Sequence, residues 1–282
     1  MIDWSLGSGR ISVSGKSLEW GSFGPRPGVD PVIVMLHEGL GCLALWRDFP
    51  QRLVEHTGFP VFAYSRAGYG QSDSLDAPWP LDYMEREAIH SLPKILAAIN
   101  ADSCILLGHS DGASIAAVYA GRVNDPGLRG VILMAPHFFT EPMGLAEIAA
   151  AREVFETTDM RERMAKYHRD PEAAFRGWNN AWLHPDFQSW NIEQVIEGFR
   201  VPSLAVQGAQ DQYGTVRQVE VVKRRSPAPV TLKLLEDCRH SLHLDQLDAT
   251  LAAIDAFVQP LEKASRQEIR HEHAPMRAKG RA

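Results

Sequence analysis

Short apolar runs recur along the chain at PVIVMLHE (31 to 38), PVFAYSR (60 to 66), SCILLGHS (103 to 110), LRGVILMAP (128 to 136), PSLAVQG (202 to 208) and VTLKLLE (230 to 236). Runs of this length, rich in Val, Ile and Leu and nearly unbroken by polar residues, suit strands covered on both faces, as a parallel sheet requires. Between them CLALWRDFPQRLVEHTG, PLDYMEREAIHSLPKILAAIN, ASIAAVYAGRV and DATLAAIDAFVQPL carry apolar residues at helical spacing. Strand alternating with helix predicts an α/β fold, a mostly parallel central sheet flanked by helices.

The alternation breaks once. Residues 137 to 196 carry helical signals without a convincing strand and hold Trp178, Trp182 and Trp190. That pattern predicts a helical insertion acting as a cap, with 1–136 and 197–262 forming the core around it. RISVSG and SLEWGSFG, near the start, read as an antiparallel leader hairpin, and the polar, aperiodic 263–282 as a disordered tail.

Composition narrows the function classes. The chain has 282 residues, a net charge of -6 and 45% hydrophobic residues, with a pI near 6.0. A net negative chain offers no long-range attraction to phosphate backbones or anionic lipid, so a small-molecule substrate is the expected partner, with no nucleic acid and no membrane; a homodimer stays open. The opening MIDWSLGSGRIS lacks a basic region followed by an apolar stretch, from which a cytoplasmic protein is expected. Cys42, Cys104 and Cys238 are odd in number and without CxxC spacing; reduced, buried thiols are expected, with no structural metal.

The chemistry concentrates in Gly108-His109-Ser110-Asp111-Gly112, which follows the apolar CILL and precedes the small-residue helix ASIAAVYAG. In that setting G-x-S-x-G describes a sharp strand-to-helix turn that exposes a serine hydroxyl at a helix N-terminus, where developing negative charge is favoured. A hydroxyl needs a base and the base an orienting acid. Asp211 follows PSLAVQG on a loop at a strand end, and His240 follows VTLKLLEDC; the order Ser, Asp, His is that of the serine hydrolase elbow. Asp is also a common turn former, and His240 with His243 has helical metal-ligand spacing but no third ligand nearby. His243 is read as a packing residue. The oxyanion donors would be the backbone N–H groups of Asp111 and Gly39, with Glu38 as the alternative to Gly39.

These motifs resemble the α/β-hydrolase superfamily, in its capped serine hydrolase branch of esterases and carbon-carbon hydrolases, from the leader strands to about residue 262. LHEGLGCLALWRDF is similar to the oxyanion segment, YSRAGYGQSD to the D-x-x-G-x-G-x-S turn, and RHSLHLDQLD to the segment around the catalytic histidine. Glu38 stands where the family has a glycine beside the oxyanion histidine, and Arg239 where a glycine precedes the catalytic histidine. Dehalogenases and epoxide hydrolases of the superfamily carry an aspartate at the elbow; Ser110 instead implies an acyl-enzyme.

The resemblance therefore implies a serine hydrolase, with catalytic Ser110, His240 and Asp211, that cleaves an ester, thioester or related acyl bond of a small apolar or aromatic substrate without a cofactor. His37, Glu38, His109, Phe138, Phe139, Trp178 and Trp182 are the expected substrate contacts, with His137 and Trp190 as further candidates. A carbon-carbon hydrolase is the alternative on the same fold, and a ligand-binding, non-catalytic relative another. A decoy points to a different class: Gly39-x-Gly41-x-x-Ala44 follows a strand and opens a helix as a dinucleotide fingerprint does, with Arg66 as a 2′-phosphate ligand. That NADP-binding oxidoreductase reading explains neither the Ser110 turn nor the ordered Asp and His.

Overall fold

The computed structural model describes residues 2–28, 30–76 and 78–272, with side chains to residue 261. The leader hairpin pairs β1 (Ser8–Val13) with β2 (Lys16–Phe23). β3 (Val32–Leu36), β4 (Val61–Tyr64), β5 (Cys104–His109), β6 (Leu128–Met134), β7 (Ser203–Gly208) and β8 (Val230–Leu235) follow. They form one eight-stranded sheet in the order β1-β2-β4-β3-β5-β6-β7-β8. β2 runs antiparallel to β4, and all pairings from β4 to β8 are parallel.

The period of two along each strand divides the core between the faces. Ile33, Met35, Ile105, Leu107, Ile132 and Met134 face one way, against α1 (Phe49–Thr57) and the last helix; Val34, Leu106, Val131 and Leu133 face the other. On that second face lie α2 (Tyr83–Arg86), a π-turn over Glu87–Ser91 that joins it to α3 (Leu92–Ile99), and α4 (Asp111–Arg122). Both faces of β3 to β7 are covered, which explains why these strands read as unbroken apolar runs.

β6 leads into the insertion: α5 (Pro142–Thr157), α6 (Met160–Met164), α7 (Pro171–Trp182) and two 3-10 turns, Pro185–Phe187 and Glu193–Gly198. Among its described residues the only extended pairing is an isolated bridge between Phe139 and Asn191. Trp190 stacks on Phe187 at 5.2 Å and meets Trp182 edge-on at 5.7 Å, so it packs inside the insertion.

Three local expectations change. β8 is the sheet's edge and alternates between half-buried and exposed positions, so VTLKLLE is not covered on both faces. α8 (Arg217–Arg225) buries Val219, Val221 and Val222 beneath a basic outer face, and that face outweighs the apolar one in the local sequence pattern. CLALWRDFPQRLVEHTG is a 3-10 turn over Leu43–Trp46 and then α1, broken at Arg47, whose φ is 53°. α9 (Leu242–Asp245) and α10 (Leu247–Glu272) close the chain. α10 keeps its backbone helical into the stretch read as a tail, and the remainder of that tail, 273–282, lies outside the described residues. No helix among the described residues is long and apolar enough to cross a membrane.

Candidate active site

The chain reverses its lateral direction at β3, with β4 on one side and β5 on the other. The turns after β3 and β5 therefore open into one crevice at the carboxyl ends of the strands, where α/β sheets place their sites. Ser110, between β5 and α4, has φ 55° and ψ −119°, a sparsely populated conformation for a side-chain-bearing residue. Two glycines make the turn possible by close approach. A Cβ on Gly108 would stand 2.2 Å from the Gly112 carbonyl oxygen, and one on Gly112 2.0 Å from the Leu36 carbonyl oxygen. The turn is thereby pressed against the end of β3. Because α4 starts at Asp111, that residue's N–H is one of the helix's initial donors without an intrahelical acceptor.

Asp211, on the loop after β7, and His240, on the loop after β8, meet across the sheet end. His240 Nδ1 lies 3.0 Å from Asp211 Oδ1 and 2.9 Å from Oδ2. The Asp211 side chain is fully buried, and it also accepts from Gln207 Nε2 at 2.7 Å and from the Tyr213 N–H at 2.8 Å. Burial pushes its carboxyl up, but the bond to and charge of the His240 ring, with the Tyr213 N–H, outweigh that and hold it below the usual value. An ionised Asp211 accepts the Nδ1 proton, leaving His240 Nε2 as the basic nitrogen. The rival acids lie elsewhere: Asp245 accepts from the Arg239 N–H at 2.9 Å and Asp237 is exposed.

Ser110 and His240 share a cavity of about 100 Å³ with Glu38, Gly39, Leu40, Asp111, His137, Ile148, Trp178, Trp182 and Tyr213. The Trp178 indole lies so close over Gly39 that a Cβ there would stand 2.2 Å from Nε1. His137 stacks on His240 at 5.6 Å, and burial together with the charge of His240 pushes it down to about 3, keeping it neutral. Asp111 is buried; its Oδ2 accepts from Tyr83 Oη at 2.5 Å, and Tyr83 accepts from Trp182 Nε1 at 3.0 Å. Burial raises the Asp111 carboxyl.

Of the expected substrate contacts, Glu38, Trp178 and Trp182 line this cavity; His37, His109, Phe138 and Phe139 do not. His37 is buried under its own turn, its Nδ1 2.8 Å from the Glu38 carbonyl and its Nε2 accepting from the Arg66 N–H at 3.0 Å. His109 points behind the elbow and Phe138 into the core. Phe139 pairs with Asn191 and lies 5.4 Å under the Arg217 guanidinium. Leu40, Ile148 and Tyr213 were missed. Nothing in the local sequence marks Leu40 or Ile148, whereas Tyr213 stands two residues after Asp211. Arg66, the 2′-phosphate candidate, is buried and donates to the His37 and Glu38 carbonyls. His243, spaced as a metal ligand from His240, packs instead against Trp46 and Phe49, and burial drives it down to about 4. Cys42, Cys104 and Cys238 are free and buried, and burial pushes their thiols up to about 12, 12 and 11.

This sheet order, with its crossover at β3, belongs to the α/β-hydrolase fold. Crystal structures of proline iminopeptidase from Mycobacterium smegmatis and of an enol-lactonase from Burkholderia xenovorans share it. The first superposes with a TM-score of 0.73 at 16% identity, covering 92% of this chain and 99% of that one; the second with 0.68 at 19%, covering 88% and 99%. The chain belongs to the family described as serine aminopeptidase, S33, which it matches over residues 29–247. It is 25% identical to N-formylmaleamate deformylase from Pseudomonas putida over 76% of this chain and 83% of that protein. With proline iminopeptidase from Heyndrickxia coagulans it shares 34% identity over 45% of this chain, spanning 42% of that relative.

Proposed function

We propose that this hydrolase cleaves an ester or related acyl bond of a small substrate through an acyl-enzyme on Ser110. One observation carries the reading: His240, bonded through Nδ1 to both Asp211 oxygens, opens onto the cavity that holds Ser110 at its strained turn. Ser110 Oγ attacks the carbonyl carbon while its proton passes to His240 Nε2. The resulting oxyanion takes hydrogen bonds from the Asp111 and Gly39 N–H groups, each worth about 3 kcal/mol of barrier. His240 returns the proton to the leaving group as the scissile bond breaks. Water then attacks the acyl-enzyme, His240 accepting its proton and restoring it to Ser110.

Ile148, Trp178 and Trp182, all from the insertion, form the cap of this cavity and favour an apolar or aromatic acyl group. A space of about 100 Å³ suits a small acyl moiety, the leaving group projecting outward. Amide cleavage is the second reading, supported by the likeness to a deformylase along most of the chain. A fluorophosphonate probe located by mass spectrometry tests the shared step: labelling on Ser110, lost in Ser110→Ala, is expected, and folded protein that does not react overturns it. Panels of matched small esters, thioesters and amides then rank the bonds cleaved.

A further inference from the structure

The last residue of β5, His109, is enclosed behind the elbow, 1% exposed. Its Nε2 lies 2.9 Å from the His240 carbonyl oxygen, and its Nδ1 3.5 Å from Glu38 Oε2. Both neighbours present acceptor oxygens: a carbonyl has no hydrogen to give, and although burial raises the Glu38 carboxyl, its bond to the His109 ring and the positive charge around it hold it below the usual carboxylate value. A neutral imidazole has one N–H, so one nitrogen would turn its lone pair toward an oxygen lone pair in an enclosed site. Only a ring protonated on both nitrogens suits both neighbours.

We propose that Glu38 and His109 form a carboxylate–imidazolium pair behind the elbow that holds the His240 loop in place, making both positioning residues for the chemistry of Ser110. The proposal rests on the acyl-enzyme reading above and adds a use for the residue that departs from the family's glycine. Glu38 leaves from the turn that carries Gly39, and its carboxylate is tucked against Gly41, where a Cβ would stand 2.4 Å from Oε2. One pair thus ties three segments: the turn after β3, the end of β5 and the loop after β8. The His109 ring also faces His240 at 5.1 Å, His243 at 5.4 Å and Trp46 at 6.2 Å, with Asp211 contributing a further negative charge. Burial disfavours the charged ring, but Glu38, the His240 carbonyl and Asp211 together raise it above the ordinary histidine value. The pair is therefore complete below that ordinary value and dissolves as pH rises through the higher folded one, releasing the Nδ1 proton to solvent.

Two readouts separate this proposal from the reading beneath it. In histidine-labelled protein, nitrogen NMR from about pH 6 to about pH 10 should show both His109 nitrogens protonated at neutral pH, with the loss of the Nδ1 proton shifted above the ordinary histidine value. Glu38→Gln should return Nδ1 to the unprotonated form at neutral pH and disturb the Nδ1 proton that His240 shares with Asp211. A single protonated nitrogen in wild type at neutral pH overturns the pair, whatever the protein hydrolyses. The second readout is the rate of fluorophosphonate labelling. It should fall about tenfold in Glu38→Gln and in His109→Gln, no further in the double variant, and lose its alkaline decline in all three. Independent, multiplying effects or an unchanged pH profile overturn the positioning role. If wild type is not labelled at all, the Ser110 reading fails, and with it the positioning role, while the spectra still decide the pair. Should Glu38→Gln not fold, the wild-type spectra and His109→Gln decide alone.

Discussion

The two ends of the sheet present two cavities of opposite character. At the amino ends lies the larger, about 480 Å³, lined by residues including Leu96, Ile99, Cys104, Tyr119 and Asp125. Its polar groups satisfy one another: Tyr119 Oη donates to Asp125 Oδ2 at 2.6 Å and the Gly127 N–H donates to Oδ1 at 2.8 Å, while burial keeps the Cys104 thiol protonated. At the carboxyl ends the space is about 100 Å³, yet it brings together Ser110 at positive φ, a His137 held neutral and an Asp111 pushed upward. Volume thus misleads here. Backbone strain at Ser110, which costs stability and persists only where the fold enforces it, distinguishes the end where the proposed chemistry is placed.

The contrast is sharpest at Ser110. Ser110→Ala should lower turnover by about 10⁵-fold while leaving the melting temperature close to wild type, as kinetics and thermal unfolding would read; near-normal turnover would erase the distinction between the ends. Asp211→Asn should cost about 10⁴-fold in kcat, because an amide cannot hold His240 in the tautomer that leaves Nε2 basic. Gly39→Ala, which forces Trp178 off the turn, should lower kcat by about 30-fold through a displaced oxyanion donor, and more than it raises KM. On acidification, the stabilisation that Asp211 supplies is complete above the ordinary carboxylate value of about 4 and drains as pH falls through its lower folded value. Melting temperatures below about pH 4 should therefore fall more steeply in wild type than in Asp211→Asn. Tyr119→Phe at the amino end should cost about 1 kcal/mol of stability and leave turnover unchanged. A loss of activity there would break the comparison from the other side.

β3 to β7 and their parallel arrangement were legible because burial on both faces writes itself as unbroken apolar sequence. Ser110, Asp211 and His240 were legible as a candidate set because each must follow a strand in a fixed order. The cavity wall was less so. Phe138 and His137 are adjacent, yet one points into the core and the other into the cavity, a difference decided by packing against α7 and α8 that no local pattern records. His109 illustrates the same limit: its place beside Ser110 suggested substrate contact, whereas the backbone at the elbow turns it toward Glu38 and the His240 carbonyl.

The cavity wall is shared between the core turns and the insertion, with Ile148, Trp178 and Trp182 on one side and Gly39, Leu40 and Tyr213 on the other. The same contacts that shape the cavity also dock the insertion onto the sheet. A substitution that widens the cavity would therefore also loosen the attachment of the insertion to the sheet. Stability lost at this wall would have to be recovered elsewhere, in contacts away from the cavity such as the Trp20–Phe62 stack between β2 and β4.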